Sequence, residues 1–323
     1  MDAESKDATA SRQMMALRAR KRGGPEVFVY EEAPRPHPGP GEISVAVRAA
    51  SITFDELTWT ETWESEGVDR TPIIPAHEFS GVVAEVGDGV TDVAVGDSVF
   101  GIVPFDHDGA AAQYVVVPVE VVALKPASVS DEAAAAAALP GLTAWEALTD
   151  AGKLTAGQRI LIRGGTGGVG AFATQFAHRM GADVTVTVTS PSGVERAKRL
   201  GADHVIVSGQ DPDPQDAGAF DLALDAVGGG VPEWMYSSVR REGALIVLQE
   251  APNEELAKQY GVSAAFFLVG TRREKLAELA NLIAAGDLEV AIAQTFPLEK
   301  GREAYESGSR PKPAPGKTVI LVD

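Results

Sequence analysis

One run of six residues, Gly165-Thr166-Gly167-Gly168-Val169-Gly170, has the types and spacing to hold a phosphate. It fits G-x-G-x-x-G, follows the apolar segment Ile160-Leu161-Ile162 and opens a helical pattern. In such a run the first glycine makes a tight turn. The second lets the backbone approach a pyrophosphate, and the third lets helix and strand pack closely. The free N–H groups at the helix start supply the donors and a partial positive charge. Strand, glycines, helix and a second strand together point to a dinucleotide. That second strand ends at Thr189-Ser190, about 20 residues further on, where a carboxylate marks a preference for an unphosphorylated ribose. This chain has none there, and Ser190, Ser192 and Arg196 are nearby donors for a 2′-phosphate. NADPH is therefore the expected cofactor, with Arg196 either binding the phosphate or merely solvating its helix.

The elements around this run set its context. From Arg159 onward strands and helices alternate: Arg159–Arg163, helix Val169–Met180, Val184–Thr189, helix Val194–Leu200, then strands at Val205–Val207, Leu222–Asp225, Ala244–Leu248 and Ala264–Leu268. This order predicts a doubly wound parallel sheet. Helical composition begins near Ser130, over Ala133–Ala138 and Leu142–Asp150, and a further helix is expected over Arg272–Ala285. Upstream, Glu42–Ala49 alternates around Ile43, Val45 and Val47, and Glu78–Val103 holds short strands punctuated by glycine. That pattern predicts an all-β unit, a barrel or sandwich. Residues 1–13 are expected to be a disordered lead.

Composition narrows the function. A net charge of −18 opposes nucleic acid and anionic membranes, so a cofactor phosphate must be held by local donors. With no cysteine, the chain has no disulfide, no thiolate catalysis and no Cys-ligated zinc. Met1–Gln13 lacks an apolar core and Ala133–Leu139 is too short to span a bilayer, so a cytoplasmic protein is expected. Asp106-His107-Asp108-Gly109 has metal-like spacing but reads as a turn, since Asp and Gly favour turns.

Several further runs resemble the zinc-independent quinone oxidoreductase branch of the medium-chain dehydrogenase/reductase superfamily. They are Ile74-Pro75-Ala76-His77-Glu78-Phe79-Ser80-Gly81-Val82-Val83, Val95-Gly96-Asp97-Ser98-Val99-Phe100-Gly101, Leu139-Pro140-Gly141-Leu142-Thr143-Ala144-Trp145-Glu146-Ala147-Leu148, Leu200-Gly201-Ala202-Asp203, Asp225-Ala226-Val227-Gly228-Gly229 and Gly316-Lys317-Thr318-Val319. The resemblance implies an α/β protein: a GroES-like β-barrel catalytic domain over 14–138 and 287–323, and a Rossmann NADP-binding domain over 139–286. It implies a homodimer. It also places Thr143, Val227, Leu248, Gln249, Phe267 and Val269 beside the cofactor with the glycine run. Zinc-dependent relatives carry Cys where this chain has Thr53 and His where it has His77. His77-Glu78 offer two ligands where catalytic zinc takes three, so no metal is expected. The family's Asn-Pro-x-Asp loop reads Thr53-Phe54-Asp55-Glu56 here, with Glu56 near the acidic position.

The resemblance implies hydride transfer from NADPH to a quinone or an α,β-unsaturated carbonyl. Thr53 and His77 are the side-chain candidates to donate to the developing oxyanion. Glu56 serves as the acid only if its pKa is raised, and Tyr114 is a second conceivable donor that fits packing better. Trp59, Trp63, Phe54 and Phe105 are candidates to wall an apolar pocket. Two alternatives stand beside this: an enoyl-thioester reductase of a biosynthetic pathway, and a non-catalytic NADPH-binding sensor.

Overall fold

A computed structural model describes residues 13–212, 218–310 and 314–323. The expected disordered lead lies outside them except for Gln13, the first residue of a strand. The chain forms two compact units, Met1–Leu139 with Thr271–Asp323, and Pro140–Gly270.

In the first unit β1 (Gln13–Ala19) pairs antiparallel with β2 (Phe28–Pro34). The long strand β3 (Glu42–Ile52) buries Ile43, Val45 and Val47, as the alternation predicts. A two-residue hairpin, β4 (Glu64–Ser65) and β5 (Val68–Asp69), precedes β6 (Glu78–Val86), β7 (Ser98–Ile102), β8 (Tyr114–Pro118) and β9 (Val122–Leu124).

The second unit is a parallel sheet of β10 (Arg159–Arg163), β11 (Asp183–Val188), β12 (His204–Val207), β13 (Phe220–Asp225), β14 (Val239–Val247) and β15 (Ser263–Phe266). Its order is β12-β11-β10-β13-β14-β15. The strand order reverses between β10 and β13, the position at which doubly wound sheets bind ligands. Ile160, Leu161 and Ile162 of β10 are wholly buried, as a central parallel strand covered on both faces requires.

The chain then returns to the first unit with β16 (Ile292–Pro297) and β17 (Lys317–Leu321), giving the order β16-β17-β3-β6-β7-β9 with β8 also on β3. Two registers matter for chemistry: Thr318 opposite Ile52, and Ser51 opposite Glu78. They bring Lys317, Thr53 and Glu78 to neighbouring ends of three adjacent strands. Trp63, Phe28, Phe79 and Tyr305 fill the core beside them, and each such burial contributes about 1.5–3 kcal/mol.

Two differences from the sequence expectation have physical causes. One helix, Asp131–Glu146, runs through Pro140 where two segments are expected. Proline forfeits the bond to the carbonyl four residues back and crowds that carbonyl with its ring, and the burial of Ala134–Ala138 and Leu142 on either side offsets this cost. The unit boundary falls at the same residue. Helix Arg273–Ala284, expected with the Rossmann domain, belongs to the first unit, where it packs against β9 and Arg273 Nη1 meets Asp92 at 2.6 Å.

Candidate active site

In the second unit the glycine run turns between β10 and helix Gly168–Arg179. The glycines divide by surroundings. Gly165 and Gly170 are buried, and a Cβ on them would sit 2.4 Å from Val186 Cβ and 2.0 Å from the Gly164 carbonyl oxygen. Gly167 and Gly168 are exposed, and a Cβ on Gly167 meets nothing closer than 3.3 Å. The loop is tied to β11 by Gly164 N–H to Thr187 Oγ1 at 3.1 Å and Gly165 N–H to the Thr187 carbonyl at 3.0 Å. Thr174 Oγ1 donates back to the carbonyls of Gly165 and Gly170, at 3.0 and 2.8 Å. The first N–H groups of a twelve-residue helix are thus presented by a rigid turn with open space in front, a cradle that fits a dinucleotide pyrophosphate.

The other expected cofactor residues follow the carboxyl ends of the same sheet. Thr166 is half-buried in the turn and Val169 half-buried at the start of the helix. Ser190 follows β11, and its Oγ lies 2.8 Å from Ser192 Oγ. Val227 follows β13, with its N–H on Asp225 Oδ1 at 3.0 Å; Leu248 and Gln249 follow β14; Phe267 and Val269 follow β15. Thr143 is buried on helix Asp131–Glu146. Arg196 is only 9% exposed, whereas Ser192 is exposed. The serines are therefore the accessible donors after β11. Asp225 itself is buried and bound by Arg163 at 2.8 Å, which fixes the end of the strand at the reversal point.

The first unit holds a polar cluster around the buried Glu78, with Thr53 and Lys317 half-buried. Thr53 Oγ1 donates to Glu78 Oε1 at 2.9 Å; Lys317 Nζ donates to the same oxygen at 2.6 Å and to Thr53 Oγ1 at 3.1 Å. Next to it, Glu56 accepts from Tyr305 OH through Oε1 and from the Ala76 N–H at 3.0 Å through Oε2. Oε2 stands 3.7 Å from His77 Nε2. His77 is packed edge-on against Phe105 at 5.4 Å between ring centroids, and Phe105 edge-on against Trp59 at 5.1 Å. Two of the four aromatics expected to wall a pocket are thus assembled around His77. Trp63 is instead core, its Nε1 on the Leu57 carbonyl at 2.9 Å, and Phe54 lies against Gly308. Tyr114 lies on β8 with the Arg35 guanidinium 3.8 Å from its ring centre, a packing role. The Asp106–Gly109 segment is a turn: His107 Nδ1 bonds Asp106, and Asp108 accepts the Ile74 N–H.

Burial sets the protonation states. It raises Glu56 from 4.5 to about 8, against the opposing hydrogen bonds from Tyr305 and Ala76. It lowers His77 from 6.5 to about 4, aided by the Arg70 charge. Burial likewise raises Glu78, and the Lys317 ammonium offsets this. At neutral pH Glu56 holds its proton and His77 is uncharged. Between pH 4.5 and 8 the unfolded chain has released the Glu56 proton and the folded chain keeps it, so stability falls as pH rises through that window. For His77 the unfolded chain binds the extra proton between 4 and 6.5, so stability falls as pH drops. The two slopes oppose below 6.5, and above it His77 no longer offsets Glu56, whose own share is on the order of 2 kcal/mol by pH 8. Glu56→Gln is expected to flatten that decline in urea unfolding at pH 6.5 and 8; an unchanged slope contradicts the assignment.

Lys317 and Tyr305 are site residues that the sequence reading does not single out as functional. Their partners lie 239 and 249 residues away in sequence, so no local pattern marks them. The one available signal was Lys317's place in the Gly316-Lys317-Thr318-Val319 run.

Comparison with known proteins agrees with both units. Residues 39–127 match the alcohol dehydrogenase GroES-like domain, and residues 200–320 match the zinc-binding dehydrogenase family. The mitochondrial NAD(P)H oxidoreductase RTN4IP1 of Homo sapiens is 32% identical over 88% of this chain and 82% of its own length. A 2-haloacrylate reductase of a Burkholderia species is 28% identical over 91% of this chain and 95% of its own. The quinone oxidoreductase from Coxiella burnetii superposes with a TM-score of 0.86 at 27% identity, over 96% of this chain and all of that one. The chain belongs to the medium-chain dehydrogenase/reductase superfamily and is quinone oxidoreductase-like, an oxidoreductase that uses a nicotinamide cofactor.

The family's zinc does not fit the donors present. Among the described residues no three His, Cys, Asp or Glu side chains converge as a metal site. Glu78 Oε1 and Thr53 Oγ1 are both hydrogen-bonded to an ammonium, itself a cation. Among the described residues no helix is long and apolar enough to cross a membrane.

Proposed function

We propose that this oxidoreductase is an NADPH-dependent, zinc-independent reductase of quinones or α,β-unsaturated carbonyls. The observation that carries this reading is the Thr53–Glu78–Lys317 cluster, a fixed organic cation, in the same unit as the edge-on rings of Trp59, Phe105 and His77, the last of these being the residue before Glu78. The nicotinamide supplies the hydride when bound. The residues do the rest. The aromatic wall orients a flat acceptor and excludes water, the cluster stabilises charge as it builds on the carbonyl oxygen, and Glu56 holds a proton at neutral pH. The name of the Burkholderia relative, a reductase of a haloacrylate, supports a conjugated acceptor.

NADPH preference is supported by the missing carboxylate after β11 and by the accessible Ser190–Ser192 pair. A homodimer is supported by β15, an edge strand followed by Leu268, with Phe266 and Leu268 47% and 64% exposed. The cytoplasm remains the compartment of this reading, beside mammalian relatives whose names place them in mitochondria. No nucleic acid or membrane partner enters it, as the −18 charge suggests.

The test is cofactor oxidation with NADPH and NADH in parallel, against a quinone, a small enone and an enoyl thioester. NADPH is expected to give about tenfold or more the kcat/KM of NADH. Turnover of the thioester alone moves the assignment to an enoyl-thioester reductase. Saturable NADPH binding with no turnover of any acceptor moves it to a sensor.

A further inference from the structure

The hydrogen bonds within the Thr53–Glu78–Lys317 cluster leave one proton over. Thr53 has one hydroxyl proton, and it is directed at Glu78 Oε1, 2.9 Å away. Lys317 has three ammonium protons. One goes to Glu78 Oε1 at 2.6 Å and one to Thr53 Oγ1 at 3.1 Å, and no described protein group accepts the third. Its side chain is 13% exposed, so the head group is fixed from within the protein and still open to an acceptor from outside the cluster. An anionic oxygen is the strongest acceptor for an ammonium proton that the protein leaves free. The head group is also held rigidly, because the registers of β17 on β3 and β3 on β6 fix all three residues.

We propose that Lys317, and not Thr53, is the catalytic donor to the acceptor's carbonyl oxygen; this rests on the reductase reading above. As hydride adds to the β-carbon of an enone, the C=C pair moves to form the enolate double bond and the carbonyl π pair moves onto oxygen. The cofactor is oxidised and the enone reduced. The new enolate oxygen accepts the third Lys317 hydrogen bond with no proton transferred, and the α-carbon then takes a proton from water. Glu78 positions the ammonium and Thr53 braces it. The cation thus stands with Thr53 and Glu78, and acts as the electrophile by hydrogen bonding.

Lys317→Met alone leaves Glu78 without its counter-charge, so the informative comparison is Glu78→Gln against Glu78→Gln/Lys317→Met. The double variant has no buried unpaired carboxylate. Its kcat with saturating NADPH and an enone is expected to lie about 10²–10³-fold below that of Glu78→Gln, the size of effect for one oxyanion donor. Thr53→Val is expected to lose about tenfold or less. A second readout needs no turnover: 4-nitrophenol, a phenolate mimic of the enolate, titrated in the presence of each protein. Its apparent pKa is expected to fall by about one unit on wild type and on Glu78→Gln, and not on the double variant.

Equal kcat in Glu78→Gln and in the double variant, a Thr53→Val loss as large as that of the double variant, a loss confined to NADPH affinity, or a nitrophenol pKa indifferent to Lys317 each overturns the proposal. A wild type that shifts nitrophenol but reduces no acceptor sinks the reductase reading while supporting Lys317 as an anion donor.

Discussion

Lys317→Met is expected to lower folding stability by about 3–5 kcal/mol, the cost of leaving a buried charge without its partner. Glu78 is fully buried, and burial alone pushes its pKa up; Lys317 and Thr53 are what favour its charged form. Without the ammonium the carboxyl must take a proton to stay inside. A carboxyl whose folded pKa is raised contributes less as pH rises, so the deficit in the variant is expected to widen from pH 6 to pH 8. Adding Glu78→Gln is expected to recover most of the loss, because the charge and its counter-charge leave together. Urea unfolding followed by tryptophan fluorescence measures both, with Trp59 and Trp63 in the same unit as the pair and Trp145 and Trp234 in the other. If Lys317→Met costs under about 1 kcal/mol, or the second substitution restores nothing, the pair is not the buried ion pair described here.

The glycine run gives the second large effect, with two separable outcomes. Gly170→Ala puts a Cβ 2.0 Å from a backbone oxygen, and Gly165→Ala puts one 2.4 Å from Val186 Cβ. Neither neighbour is the end of a flexible side chain. Both substitutions are expected to cost about 3 kcal/mol or more of stability and to weaken NADPH along with it. Gly167→Ala meets only a 3.3 Å contact and occupies an exposed position with φ of −73°, open to any residue. It is expected to change stability by under about 1 kcal/mol while raising the NADPH Kd about tenfold or more, because its Cβ occupies the ligand's space. Thermal unfolding of the free protein and NADPH fluorescence titration distinguish the two. A Gly167→Ala protein that binds NADPH normally removes the cofactor from this turn.

The sequence showed the second unit more clearly than the first because its signals are local. Strand Arg159–Arg163 is found at its expected limits, and the helix after it is displaced by one residue from Val169–Met180 to Gly168–Arg179. A β-α-β unit writes its turn, helix start and helix stop into consecutive residues. The first unit's site is made by strand pairing across most of the chain. Thr53, Glu56 and His77 were reached through the family resemblance. Their partners Lys317 and Tyr305 come from the returning tail, and nothing near them in sequence tells which strand β17 will join. Protonation was likewise hidden: Glu56 is an ordinary carboxyl until Tyr305, Ala76 and the surrounding core enclose it. The aromatics show the same limit. Spacing could not separate Trp59, which packs with Phe105 beside His77, from Trp63, four residues on, which fills the core.

The central claim, hydride transfer from NADPH to a conjugated acceptor, is tested most directly by isotope tracing. NADPH deuterated at either face of C4 is incubated with the protein and a simple enone, and the product is read by mass spectrometry and NMR. One of the two labelled cofactors is expected to place a single deuterium on the β-carbon, with none from the other and the α-hydrogen drawn from solvent. Reduced product with no deuterium at the β-carbon from either cofactor, or no reduced product at all, contradicts the account.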